Sequence, residues 1–161
     1  MFVEFPSYLT LFSLVRNHVL LPSELTGNAS ADRQKLASAI RRGQFYMSLD
    51  SLADPRGFIA KIERPGDPAV TMGGSAKWTP GMKLVTVLPQ KPNVPFDVIY
   101  YRGGEKILVS NSRETSLEVP GPGIYRVMVR VIPTLPLPDG KKWIPWIFTN
   151  PVYVTDGQGS Q

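Results

Sequence analysis

Hydrophobic and polar positions along the chain follow two different periods. Near the N-terminus, apolar side chains recur at the spacing of one face of an α-helix. This spacing predicts a helix over residues 8–18, with Ser7 as its cap and Pro22 ending it. The apolar positions of this predicted helix are Tyr8, Leu11, Phe12, Val15 and Val19.

A second helix is predicted after residues 27–30, where the chain becomes rich in Ala, Lys and Leu. Asp32 lies in its first turn and Arg41 and Arg42 in its last, so each charge complements the helix dipole. Gly43 stands where a left-handed C-terminal cap is expected. The apolar stripe is narrow, which predicts a surface helix, and consists of Leu36, Ala39 and Ile40.

From Gln44 onward, apolar and polar residues alternate in short segments separated by turn residues roughly every 8 to 12 positions, which is typical of an all-β sandwich. We therefore predict a mainly β fold: an immunoglobulin-like antiparallel β-sandwich with a short two-helix N-terminal extension. The expected parts are a helical extension at 1–43, a sandwich at 44–155 and a disordered tail at 156–161. Strands are predicted at 45–49, 57–63, 83–88, 96–101, 106–110, 115–119, 123–132, 144–148 and 152–155.

Two turns carry specific local signals. Gly103 and Gly104 predict a two-residue hairpin turn, because glycine accepts the positive φ that such a turn requires at both central positions. Residues 120–123 form a Pro/Gly corner just before Tyr125. In immunoglobulin-like sandwiches a tyrosine placed in this way bonds the corner backbone, so Tyr125 is predicted to have that structural role.

Composition excludes several functional classes. The chain has 161 residues with no cysteine and one histidine, which removes disulfide scaffolds, cysteine zinc sites, thiol enzymes and His/Cys metal clusters. The net charge of +5 comes from basic residues that are dispersed along the chain. A charge of this kind favours a role in solubility over the binding of a polyanion. No segment approaches the stretch of about 18 apolar residues that a membrane span needs, and no basic segment opens a secretory signal. We expect a cytoplasmic chain of bacterial type that does not bind membranes.

The few residues with reactive side chains lack suitable neighbours in the sequence. His18 is expected at a helix end, bonding backbone carbonyls. Asp50 and Asp54, with Glu63 or Asp67, have the side chains for a hard cation, but the pattern around Asp54 favours a turn. We predict no catalytic, cofactor-binding or metal-binding residue and no cofactor.

Aromatic and basic residues offer an alternative binding function. Trp78 and Trp143, with Lys141 and Lys142, would suit a platform for carbohydrate or a polyanion such as single-stranded nucleic acid. The competing interpretation is that the tryptophans, including Trp146, belong to the core, which makes nucleic acid an unlikely ligand.

Several segments resemble the region that follows the metal-binding barrel in bacterial PHP-type (polymerase and histidinol phosphatase-like) metal-dependent phosphoesterases. The similar segments cover nearly the whole chain and occur in the same order. They include Asn17-His18-Val19-Leu20-Leu21, Leu25-Thr26-Gly27, Ala39-Ile40-Arg41-Arg42-Gly43, Asp50-Ser51-Leu52-Ala53-Asp54, Gly123-Ile124-Tyr125-Arg126-Val127 and Asn150-Pro151-Val152-Tyr153-Val154.

The resemblance implies a role without chemistry of its own. The family carries its metal on His-x-His and further ligands upstream of this region, and that set has no counterpart here. The chain is then either a fragment that starts artificially at Met1 or a shortened relative. Its sandwich is expected to be non-catalytic, and either to pack on the barrel of the same or another chain or to mediate homo-oligomerisation. The implied docking face is Tyr8, Leu11, Phe12 and Val15.

Overall fold

The computed structural model describes residues 14–133 and 142–157. Within these ranges the fold is mainly β, with one helix, α1 (Ala29–Arg41), and twelve strands. The strands are β1 (Val15–Val19), β2 (Phe45–Leu49), β3 (Ile59–Arg64), β4 (Asp67–Thr71), β5 (Ser75–Lys77), β6 (Lys83–Val87), β7 (Phe96–Arg102), β8 (Glu105–Ser110), β9 (Glu114–Glu118), β10 (Gly123–Val131), β11 (Ile144–Thr149) and β12 (Val152–Thr155).

The strands form two sheets. The small sheet has four antiparallel strands in the order β4-β3-β6-β9. The large sheet has eight strands organised around the long strand β10, which pairs with β7 along one edge and with both β11 and β12 along the other. From there it continues through β11 to β2 and β1, through β7 to β8, and through β12 to β5, which is its one parallel pair among the described strands.

The two sheets face each other across one buried cluster. Ile62 and Leu84 of the small sheet and Val98, Tyr100 and Val129 of the large sheet all belong to this cluster and are almost inaccessible to solvent. Burying each such side chain stabilises the fold by about 1.5–3 kcal/mol relative to exposure. The prediction of a mainly β, two-sheet fold is confirmed.

The predicted helix over 8–18 is wrong from Val15 onward, because Val15–Val19 forms β1 and pairs antiparallel with β2, whereas Leu14 is helical. The region predicted as a helical extension thus supplies an edge strand to the large sheet, and the structure describes one helix where two were expected. Val15 and Val19 are β-branched, which favours a strand once a partner is available. Positions 8–13 of the predicted helix lie outside the described residues.

The second predicted helix is confirmed as α1. The Asn28 side chain accepts hydrogen bonds from the amides of Ser30 and Ala31 and so caps its N-terminus. Gly43 follows the helix with φ +70°, as the left-handed cap requires. Ala39 is fully buried, but Ile40, which was predicted to belong to the apolar stripe, is 51% exposed, so the stripe is narrower than predicted.

All nine predicted strands are present, with ends shifted by up to two residues, whereas β1, β4 and β5 were not predicted. β4 contains Pro68 and has no buried side chain, so it lacks the alternation that indicates a strand. β5 has three residues and exists through its parallel pairing with β12. The last four residues of the predicted disordered tail, 158–161, lie outside the described part of the chain.

The predicted hairpin turn has the expected backbone, and the predicted corner has the expected tyrosine hydrogen bond. Gly103 and Gly104 have φ +59° and +95° and connect β7 to β8. The Tyr125 hydroxyl donates a hydrogen bond to the carbonyl of Gly121 at 2.6 Å. Over the described ranges, no helix has the length and apolar character needed to cross a bilayer.

Candidate functional site

The outer face of the large sheet, which points away from the buried cluster, is unusually apolar. In β10, Tyr125, Val127 and Val129 point inward and are buried, whereas Ile124 and Met128 alternate with them on the outer face. The outer face of an antiparallel two-layer fold is normally polar because it meets water. Here it carries large apolar side chains on several strands.

Backbone register aligns these side chains into a row across five strands. Met47 of β2 lies opposite Phe148 of β11, which lies opposite Met128 of β10. Met128 in turn lies opposite Ile99 of β7, which lies opposite Val109 of β8. Met47 and Val109 are each 42% exposed and Ile124 is 45% exposed, whereas Ile99 is fully buried and separates Met128 from Val109. We call this row, together with Ile124 and Tyr101, the outer apolar face.

A concavity of about 620 Å³ lies in the outer apolar face. Its walls include Met47, Phe148, Met128, Ile124 and Tyr101. Arg126 of β10 also lines it and is exposed. Thr149 and Asn150 are polar, uncharged members of the lining. The site therefore combines large apolar side chains with Tyr101 and Arg126, and Tyr and Arg are among the residues that contribute most to protein interfaces.

Of the docking residues expected from the sequence, Val15 falls within the described part of the chain. It lies in β1 opposite Leu49 and is 50% exposed. Because Asn17, two residues further on, pairs with Met47, Val15 points to the same side of the sheet as the outer apolar face. Tyr8, Leu11 and Phe12 lie outside the described residues.

The tryptophans of the alternative platform are not brought together. The Trp78 amide bonds the Thr155 carbonyl beside the start of β10, and its indole donates to the carbonyl of Val119 at 3.0 Å. The Trp143 ring lies 4.2 Å from the guanidinium carbon of Arg130, near the end of β10. Gly123 and Arg130 are seven residues apart in the sequence, a distance of about 23 Å at the rise of a strand.

The remaining platform residues have different surroundings. Trp146 is buried, and its indole donates to the carbonyl of Ala53 at 3.1 Å, as the core interpretation expected. Lys142 is exposed and takes part in an interaction within the protein. Lys141 lies outside the described residues. Trp143 alone of the tryptophans is exposed, at 37%.

The expected role of His18 as a helix-end residue is wrong, because His18 belongs to β1. Its Nε2 lies 2.9 Å from Asp50 Oδ1, and its ring stacks on Tyr46 with 4.9 Å between centroids. The Ser48 hydroxyl donates to the same Asp50 oxygen. The carboxylate thus stands between hydroxyl and imidazole, whereas a nucleophilic triad needs the imidazole in contact with the hydroxyl. Sequence reasoning missed this cluster, since only the β1–β2 register brings His18 to it.

The carboxylates considered for a cation each have a basic or hydroxyl partner. Arg56 donates to both oxygens of Asp54, and these hydrogen bonds lower the pKa of Asp54 to about 2. The Arg56 amide also bonds Asp54, which is the turn that the sequence predicted. Glu63 pairs with Lys61 and Asp67 with Arg64. No group of three or more His, Asp or Glu residues suited to a metal occurs in the described ranges.

A second cavity of about 420 Å³ lies beside Trp146. Lys91, Gln90 and Asn93 line one part of it, and Leu52 and Val94 line another. Its polar groups come mainly from one loop, so it lacks a convergent set of charged side chains.

Comparisons of this chain with protein-family models, with curated proteins and with solved structures gave no match. The resemblance to PHP-type phosphoesterases therefore stays a prediction.

Proposed function

We propose that this chain is a non-catalytic accessory module, an immunoglobulin-like β-sandwich that docks on the catalytic barrel of a PHP-type metallohydrolase through its outer apolar face. The observation that carries the proposal is the row of Met47, Phe148 and Met128 across three adjacent strands, next to the 45% exposed Ile124. Adjacent exposed apolar side chains of this kind mark an interaction site in a folded protein.

The sequence resemblance supports a barrel as the occupant. In the resembling proteins the barrel precedes this region, and β1 is the first described strand and lies at the edge of the large sheet. Val15 extends the outer apolar face onto β1, which is the described strand nearest the N-terminus, the side from which the barrel comes in the resembling proteins. Docking would transfer the exposed parts of Met47 and Val109 from water into a packed interface, which favours association.

The Tyr125 hydrogen bond to the corner backbone supports the immunoglobulin-like part of the proposal, because that contact recurs in such sandwiches. The separation of Trp78 from Trp143 weighs against the alternative carbohydrate or polyanion platform, since one short ligand would not span both rings.

The test uses the PHP-type barrel encoded nearest upstream of this chain, whether in the same reading frame or in the adjacent gene. The purified barrel is titrated with this chain, and binding is followed by calorimetry and sedimentation velocity. We expect saturable binding that Met47→Glu weakens by about tenfold or more, because an unpaired carboxylate would be buried in the interface.

Ile59→Glu is the matched control, since Ile59 is also 42% exposed but lies on β3 in the small sheet. It should leave binding unchanged. Absence of binding by the unaltered chain contradicts the proposal. Self-association that Met47→Glu abolishes, without binding to the barrel, would assign the face to a second copy of this chain and also overturn the proposed partner.

A further inference from the structure

Arg126 is a charged residue in the concavity of the outer apolar face. Among the described residues that line the concavity of about 620 Å³, it is the sole charged one. It lies opposite Tyr101 in the register of β10 with β7, and Ile124 and Met128 flank it on the same face of β10. The cation therefore projects from an apolar surface.

Neighbouring arginines on these strands are already engaged. The Arg130 guanidinium bonds Asp97, and that of Arg102 bonds the carbonyl of Pro122. Within the described ranges, the guanidinium of Arg126 makes no hydrogen bond or ion pair. Burying it without a partner would oppose docking, because an unpaired charge loses its hydration.

We infer that Arg126 is the anchor for an acidic side chain on the docked protein, a carboxylate surrounded by apolar residues. This inference rests on the proposed function and names the chemistry of the partner at the centre of the interface. A guanidinium presents two parallel N–H donors that match the two oxygens of a carboxylate. Apolar walls that exclude water would strengthen that pair.

A single cation within apolar walls distinguishes this partner from a nucleic acid. Polyanions are bound by several Lys or Arg side chains that neutralise successive phosphates. Among the described residues that line the concavity, Arg126 is the one basic side chain, and the others are uncharged. Its composition fits one carboxylate on a folded protein surface.

The test measures binding of the same barrel to Arg126→Met, which removes the charge and retains much of the side-chain volume. We expect affinity to fall by about tenfold or more and the dependence of affinity on salt to become weaker. Arg33→Met is the control, because Arg33 is exposed on α1, remote in sequence from β10. Equal unfolding midpoints in urea show that both variants remain folded.

A chemical cross-link identifies the carboxylate directly. In Arg126→Lys, a carbodiimide activates a nearby carboxyl group, and the introduced amine displaces the urea by-product to form an amide. Mass spectrometry should find this amide on an Asp, a Glu or the C-terminus of the barrel. A cross-link found only to another copy of this chain overturns the inference.

The two proposals fail in different ways. If Met47→Glu abolishes binding while Arg126→Met leaves affinity and salt dependence unchanged, the docking face stands and the carboxylate anchor is wrong. If neither variant changes binding to the barrel, the docking face itself is wrong.

Discussion

The phenol of Tyr125 donates a hydrogen bond of 2.6 Å to the carbonyl of Gly121, four residues earlier. Gly121 lies in the corner that leads into β10, and Tyr125 is 1% exposed. The bond therefore fixes the corner to the strand at the centre of the large sheet. Its position in the buried cluster makes it a structural contact.

Tyr125→Phe should lower the free energy of unfolding by about 1–3 kcal/mol, because the buried Gly121 carbonyl loses its donor. Urea unfolding measures the change. Tyr153→Phe is the control, since Tyr153 is 41% exposed. A change in Tyr125→Phe no larger than that of the control would show that the hydrogen bond does not stabilise the corner.

Asp97→Asn should destabilise the protein by about 2 kcal/mol, because it breaks a partly buried ion pair. Asp97 is 7% exposed and accepts a hydrogen bond from Arg130 Nε at 2.7 Å and another from Asn111 Nδ2 at 3.0 Å. A double-mutant cycle with Arg130→Met isolates the pair. Additive effects of the two substitutions would mean that the pair carries no coupling energy.

Gly73→Ala should destabilise the fold strongly. Gly73 has φ +76°, and a Cβ there would lie 1.8 Å from the carbonyl oxygen of Arg42, where α1 approaches the strands. Gly27→Ala provides the comparison, because Gly27 has φ +81° with open space around it. We expect Gly27→Ala to lower the free energy of unfolding by about 1 kcal/mol, from backbone strain alone. Gly73→Ala should lower the free energy of unfolding by at least about 2 kcal/mol more than Gly27→Ala does, or prevent folding. Equal losses in urea unfolding would contradict the close approach.

Stability should fall at high pH through Tyr46. Burial, and secondarily the charges of Asp50 and Asp54, raise the pKa of Tyr46 from 10.0 to about 12. As the pH rises, the phenol of Tyr46 therefore loses its proton in the unfolded chain before it does so in the folded protein. The contribution of Tyr46 to the free energy of unfolding is complete below pH 10 and is lost between pH 10 and about 12. The expected loss is about 2–3 kcal/mol. Urea unfolding at successive pH values should show a smaller decline for Tyr46→Phe, and identical declines would reject the assignment.

The sequence predicted elements whose local pattern agrees with their final environment. Gly103 and Gly104 specify their hairpin, and Asn28 and Gly43 mark the ends of α1, because each acts on backbone within a few residues of itself. The inward alternation along β10 likewise follows from its own residues. The same alternation signals Met128 and Arg126 as outward residues, although their importance was not inferred from it.

Position in the sheet could not be predicted in the same way. Val15–Val19 continues a helical spacing from residue 8, and it becomes a strand because β2 supplies backbone partners. The contact of His18 with Asp50 joins residues 32 positions apart and depends on that register. β5 exists by pairing with β12. Trp78 and Trp143 are separated because Trp78 bonds Val119, before the start of β10, whereas Trp143 stacks on Arg130 near its end.

The sequence by itself determined that this chain is mainly β, where α1 and the glycine hairpin lie, and which residues of each predicted strand share a face. Only the tertiary structure decided that Met47, Phe148, Met128, Ile99 and Val109 line up, with Arg126 beside them. The reason is physical: turn geometry and side-chain alternation are local properties, whereas cross-strand register joins distant segments through packing of the two sheets.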